Sequence, residues 1–204
     1  MERRRHWENI YTTKQPDQVS WHQSSPRVSL DLIGRMGLGC EAQVIDVGGG
    51  ASTLVDALLG RGFSRMTVLD ISAAALDCSR KRLGPLGERV TWVQGDITDV
   101  SLPKGGFDLW HDRAVFHFLT DPADRRKYVK VLKDSVCPGG HVLISTFATD
   151  GPLRCSGLEV VRYSPESLWS ELGSEVELVE TEWEAHQTPF GTTQSFVYCH
   201  FRRK

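Results

Sequence analysis

Val44-Ile45-Asp46-Val47-Gly48-Gly49-Gly50-Ala51-Ser52-Thr53-Leu54 is an apolar run that ends in three glycines and restarts as an amphipathic segment. That order reads as a buried strand, a tight turn and a helix. Glycine lets a backbone turn sharply and come close to a ligand. The first turn of the next helix points unpaired N–H groups into the same space. The stretch is therefore read as a ligand-binding turn at the end of a central strand.

Outward from the turn, strand and helix patterns alternate. Residues 27–38 read as a helix with Val28, Leu32 and Met36 among its apolar positions. Gln43–Val47 is the first strand, and Ser52–Leu59 is a helix closed by Gly60 and Gly62. Arg65–Leu69 is the second strand, ending at Asp70. Ser72 caps a helix over Ala73–Leu83, which Gly84 and Pro85 stop. Arg89–Gln94 is the third strand and Phe107–His111 the fourth. Asp121-Pro122 opens a helix to about Val136, Pro138-Gly139-Gly140 is a turn, and His141–Phe147 is the fifth strand. This alternation predicts an α/β fold of right-handed βαβ units, with a parallel sheet covered on both faces.

The end of the chain differs. After a short helix over Pro165–Leu172, with Ser164 as its cap, Glu175–Glu182 and Gln194–Arg202 read as strands with no helix between them. Such a pair is expected to be antiparallel. No repeat or linker divides the chain, so residues 1–204 are read as one domain with its core over 40–204. Residues 1–30 are polar, broken by Pro16 and Pro26, and carry scattered aromatics. Trp7 and Tyr11 share a helix face, and Trp21 follows. This segment reads as a flap over a ligand; the competing reading is a flap packed for stability only.

Composition narrows the classes. Apolar content of 40% and charged content of 25% are those of an ordinary globular chain. A net charge of −2 gives no pull toward nucleic acid or anionic membrane. No apolar run reaches the length of a membrane span, and the basic N-terminus lacks the apolar stretch of a secretory signal. The five cysteines are odd in number and form no CxxC pair, so neither a zinc site nor a disulfide framework is expected. The expectation is a cytoplasmic protein with no metal and no membrane.

In an open α/β sheet, ligands bind beyond the carboxyl ends of the strands. Four polar sites fall there: the glycine turn, Asp70, Asp96-Ile97 and His111-Asp112-Arg113. Asp70 can accept two hydrogen bonds from a ribose diol. Asp96 can take an adenine amino proton while Ile97 covers the ring. Two adenosine cofactors fit a ribose carboxylate, NAD and S-adenosylmethionine. The NAD fingerprint G-x-G-x-x-G is broken by Thr53 at its sixth position. Asp46, two residues before the first glycine, suits a ligand cation such as a methionyl amino group and repels a pyrophosphate.

Taken together, these motifs resemble the class I, seven-strand S-adenosylmethionine-dependent methyltransferases. Val44–Ser52 is similar to the family's first motif, with Ser52 where a third glycine usually stands. Leu69-Asp70-Ile71-Ser72 resembles the ribose-binding element and Gly95-Asp96-Ile97 the adenine-contacting one. Phe107–Asp112 resembles the fourth motif, and Leu132–Ile144 the helix, turn and strand after it. The resemblance implies a Rossmann-like three-layer sandwich with a seven-stranded, mostly parallel sheet whose last strand is antiparallel. It implies that Asp46, Gly48 and Gly50 hold the amino-acid end of the cofactor. Asp70 would hold the ribose and Asp96 the adenine, with Ile71 and Ile97 on either side of the ring.

Methyl transfer depends first on placing a nucleophile in line with the methyl and excluding water. A base is needed only where the nucleophile arrives protonated. His117, Asp112 and His111 are the candidates. The competing readings are packing for His117, between Phe116 and Phe118, and an ion pair for Asp112-Arg113. Trp7, Tyr11 and Trp21 are expected at the acceptor, with Arg154 and Arg162 as contacts for an anionic one. His111-Asp112-Arg113-Ala114 stands where amine and nucleic-acid methyltransferases often carry N/D-P-P-Y/F, so nucleic acid is not the expected substrate. The leading expectation is transfer to a sulfur, oxygen or nitrogen of a small molecule. The alternatives are a protein-lysine methyltransferase, which Asp112 and Phe190-Gly191 echo, and a non-catalytic cofactor-binding scaffold.

Overall fold

The computed structural model describes residues 2–204. Seven strands form one sheet: β1 (Gln43–Val47), β2 (Arg65–Asp70), β3 (Val90–Gln94), β4 (Phe107–Arg113), β5 (Val136–Phe147), β8 (Val176–Gln187) and β9 (Thr193–Arg203). Their order is β3-β2-β1-β4-β5-β9-β8. Pairing is parallel from β3 to β5, and β9 is antiparallel to both its neighbours. The expected seven-stranded sandwich and its antiparallel last strand are present. β6 (Arg154–Cys155) and β7 (Leu158–Glu159) form a separate small hairpin that the sequence pattern did not signal.

The helices are α1 (Glu2–Thr13), α2 (Arg27–Arg35), α3 (Leu54–Gly60), α4 (Ala73–Leu83), α5 (Pro122–Ser135) and α6 (Pro165–Leu172). Leu32 of α2, Leu58 of α3 and Leu76 of α4 pack into one apolar cluster with Val44, Leu109 and Leu143 of the sheet. Tyr128 and Leu132 of α5 and Leu168 of α6 pack into the other with Ile45, Trp110 and Ile144. Alternate residues of β1 thus feed opposite cores, as a central strand covered on both faces requires. Local signals act as read. Ser72 accepts the Ala75 N–H at the start of α4, and Asp121 accepts the Ala123 N–H at the start of α5.

α2 ends at Arg35, short of the expected 38, and the bounds of several further elements differ from expectation. α3 starts at Leu54, not Ser52, because Ser52 Oγ accepts the Leu54 N–H and Ser52 N–H donates to Gly49 O, which prolongs the turn. β4 continues through Asp112 and Arg113, paired with Ile144 and Ser145. Pro138-Gly139-Gly140 is no free turn but lies inside β5, where a register shift opposite Phe107 and Leu109 absorbs the irregularity. β8 and β9 are longer than expected, leaving a connection of residues 188–192. No helix among the described residues is long and apolar enough to cross a membrane.

Candidate functional site

The site begins where β1 ends. Gly48 has φ +70°, and a Cβ there would lie 2.1 Å from Val115 Cγ2. Only glycine suits that turn. A Cβ at Gly49 would lie 2.2 Å from Asp46 Oδ2, and one at Gly50 would lie 2.6 Å from Asp70 Oδ2. The three glycines therefore let the backbone pass directly over two carboxylates.

Asp46 is opposite His111 in the β1–β4 register, so both side chains leave the same face of the sheet. The Nδ1–H of His111 donates to Asp46 Oδ1 over 2.7 Å, and the Ser29 hydroxyl lies 2.9 Å from Nε2. All three side chains are buried. Asp46 Oδ2 has no hydrogen-bond partner among the described residues. His111 thus has both ring nitrogens engaged and positions Asp46; it is not free to take a proton from an acceptor.

Asp70 ends β2. Its Oδ2 accepts from Gly50 N–H (3.0 Å) and its Oδ1 from Ser72 N–H (2.8 Å). Burial pushes its carboxyl up to about 6, against the pull of those two N–H groups. Asp96 accepts from the Thr98 N–H and hydroxyl and from Arg3. The N-terminal helix α1 lies across this end of the sheet. Glu8 accepts from the Ser72 hydroxyl (2.9 Å), and Arg3 pairs with Asp96 (3.1 Å) and Asp124 (2.5 Å).

Two adjoining cavities lie beneath α1 and the segment after it, with about 690 and 570 Å³ of open space. The first is lined by Asp70, Ile71, Asp96 and Ile97, with Trp7 and Phe118 opposite. The second is lined by Asp46, Gly49, Ser52, Ser29 and His111. Tyr11, Trp21, Val47, Gly48 and Arg113 line both and form the junction. The Trp21 indole N–H donates to Tyr11 Oη (3.1 Å), and the Trp7 ring meets Trp21 and Phe118 edge-on at 5.6 and 4.9 Å.

Four expected site residues lie elsewhere. Asp112 is fully buried and accepts from the Tyr128 hydroxyl (2.6 Å) and the N–H groups of Val115 and Phe116. Burial raises its carboxyl to about 6, and its work is to hold the 114–118 turn, in which Ala114 adopts φ +69°. His117 is fully buried and lines neither cavity. Its Nδ1 accepts the Phe147 N–H, it packs against Phe118 and Phe147, and burial pushes it down to about 3. It is the packing residue of the competing reading, not a base. Arg154 and Arg162 donate to the carbonyls of Gly157 and Gly151 and brace their own loops, away from both cavities.

Arg113 is the cation that lines both cavities. It forms no ion pair with Asp112, because successive strand residues point to opposite faces. Its Nε donates to Tyr198 Oη (2.8 Å), Nη1 to Trp21 O (2.9 Å) and Nη2 approaches Glu184 at 3.5 Å. Arg3, Glu8 and Ser29 also carry the site, and nothing in local sequence patterning marked them. Among the described residues no group of three His, Cys, Asp or Glu side chains could hold a metal.

These residues fit S-adenosylmethionine. A buried carboxylate oxygen without a donor, Asp46 Oδ2, matches a ligand ammonium. Asp70 and Asp96 flank the other cavity with Ile71 and Ile97. The order of the sheet and this paired cavity define the class: the fold is that of the class I S-adenosylmethionine-dependent methyltransferases. Residues 44–140 match a family model described as a methyltransferase domain. The chain is similar to nodulation protein S of Rhizobium tropici, with 27% identity over 74% of this chain and 62% of that protein. It is 30% identical to EEF1A lysine methyltransferase 2 of Danio rerio over 52% of this chain and 48% of that one. The matches thus span less than two thirds of either relative. Among solved structures, the N-methyltransferase NodS from Bradyrhizobium japonicum WM9, in complex with S-adenosyl-L-homocysteine, superposes with a TM-score of 0.73 and 18% identity. That superposition covers 96% of this chain and 97% of that one, and it shows the fold.

Proposed function

We propose that this protein transfers the methyl group of S-adenosylmethionine to a heteroatom of a small-molecule acceptor. The cofactor supplies a methyl carbon already activated by a sulfonium, and the acceptor displaces the sulfur as its lone pair bonds to that carbon. The observation that carries the reading is the pair of cavities meeting at Tyr11, Trp21 and Arg113. In this account Asp46 binds the amino group, Asp70 the ribose, and Asp96 with Ile71 and Ile97 the adenine. His111 and Ser29 orient Asp46. Tyr11 and Trp21 cover the junction, exclude water and leave a confined place for the acceptor.

A confined junction under an N-terminal helix favours a small acceptor over a folded protein. A protein lysine is the second reading, favoured by the name of the Danio rerio relative. Incubation of the purified protein with methyl-labelled S-adenosylmethionine and a cell extract separates the two. Label in the low-molecular-mass fraction supports the first reading. Label in a protein band alone overturns it.

A further inference from the structure

Among the described residues, those that line both cavities include one cation, Arg113, and no histidine or carboxylate; Arg3 lines the first cavity only and His22 the second only. Arg113 is nearly enclosed, with 9% of its side chain exposed. Three of its five N–H donors meet Tyr198, Trp21 and Glu184, the last at a long 3.5 Å. Glu184 is shared with the Tyr198 hydroxyl (2.7 Å) and the Gln23 amide (2.8 Å) and lines neither cavity. Two guanidinium donors therefore remain on a side chain that lines both cavities. Apart from Glu184, the carboxylates near the junction have hydrogen-bond partners of their own and none pairs with Arg113. Asp70 faces Tyr11 but is bound by Gly50 and Ser72, Asp46 is bound by His111, and Asp96 is bound by Arg3. The Arg113 charge also helps hold His117 and His186 below their usual range.

We propose that Arg113 selects an acceptor that reacts as an anion, an aromatic thiol or phenol held as its thiolate or phenolate, rather than an amine. This rests on the methyltransferase reading. A guanidinium beside the acceptor atom favours its ionised form and disfavours an ammonium. An acceptor already ionised gives its proton to water before the displacement, so the reaction needs no general base. That matches a junction where His117 is sealed off, His111 has both nitrogens engaged, His22 lines only the second cavity, and the Tyr11 hydroxyl is held far above its ordinary range by burial. Tyr11 and Trp21 give the acceptor two aromatic walls, which suits a flat ring.

The test uses three probes with similar bodies: thiophenol, 4-nitrophenol and benzylamine. Affinity for S-adenosylhomocysteine is measured first by calorimetry, then label transfer to each probe. The absorbance of 4-nitrophenol is titrated against pH on the S-adenosylhomocysteine complex. The proposal expects transfer to the acidic probes over benzylamine, and bound 4-nitrophenol ionising at a lower pH than the free compound. Arg113→Gln should lower kcat/KM for thiophenol by about 10- to 100-fold, the worth of a charge-assisted hydrogen bond. It should abolish the absorbance shift on the S-adenosylhomocysteine-loaded variant, with saturation set from the affinity measured for that variant. Arg113→Lys should keep part of both effects, and it serves if the glutamine variant melts early. Preference for benzylamine, no affinity for either acidic probe, or an unshifted 4-nitrophenol titration overturns the proposal while the methyltransferase reading stands. Failure of the unaltered protein to bind S-adenosylhomocysteine overturns both.

Discussion

Asp46→Asn is a near-isosteric change aimed at one oxygen. Oδ1 accepts from His111, and Oδ2 is the buried acceptor on the wall of the second cavity with no donor of its own. In the variant the carboxamide oxygen can keep the His111 contact, which leaves the NH₂ group where Oδ2 stood. A donor then faces the ligand ammonium in place of a charged acceptor. A hydrogen bond to a charged group contributes about 1.5–3 kcal/mol, so affinity for S-adenosylhomocysteine should fall about 10- to 100-fold. The control is 5′-methylthioadenosine, which has the nucleoside and the sulfur but no amino-acid arm. Calorimetry on both ligands should give a large loss for the first and less than about twofold for the second. An equal loss for both ligands would mean that the substitution distorts the glycine turn. No loss for either would refute the assignment of Asp46 to the amino group.

Other outcomes follow from the same geometry. Asp70 is ionised above about 6 and takes up a proton as the pH falls through that value. Its acceptor capacity is therefore complete at neutral pH and lost in acid, and S-adenosylhomocysteine affinity should drop about tenfold by one unit below that pKa, as measured by calorimetry across pH. Gly48→Ala places a methyl against Val115 at φ +70°; the melting temperature should fall by about 2–8 °C and cofactor-analogue binding should be lost. Asp112→Ala strands the Tyr128 hydroxyl and two backbone N–H groups; it should destabilise the protein by about 3 kcal/mol in denaturant, with Asp112→Asn recovering part of that. His117→Ala should lower stability without removing an ionisation from the pH–rate profile, since a base held near 3 does not titrate in the working range.

Much of the fold is legible in local patterning. The Val44–Leu54 stretch reads as strand, turn and helix because burial on both faces makes β1 a continuous apolar run, and three glycines can only end it. The caps at Ser72 and Ser164 are legible because a capping side chain acts on the residues beside it, and the helix start at Asp121-Pro122 because proline suits a first turn. The last two strands betray their antiparallel pairing by the missing crossover helix. The carboxylates at strand ends were legible for the same reason, since the end of a strand is a local event.

What escaped the sequence is non-local. His111 belongs to Asp46 only through the β1–β4 register, across 65 residues. Glu8 reaches Ser72 across 64 residues and Arg3 reaches Asp96 across 93, so the docking of α1 has no local signature. His117 sits in a short 3₁₀ turn, where no strand or helix period reports which side faces the core. Asp112, expected as a catalytic group, and Arg113, its partner in the competing ion-pair reading, are adjacent, yet β4 continues past them and sends them to opposite sides. One became the buried anchor of a turn and the other the cation at the junction.

The central claim is that the paired cavities bind the adenosyl and methionyl halves of one cofactor. Calorimetric titration with S-adenosylhomocysteine tests it most directly, on the unaltered protein and on Asp70→Ala with its fold checked by thermal melting. The account predicts binding at a single site in the first and loss of that binding in a folded second. Absence of binding to the unaltered protein, or the same affinity in Asp70→Ala, would contradict it.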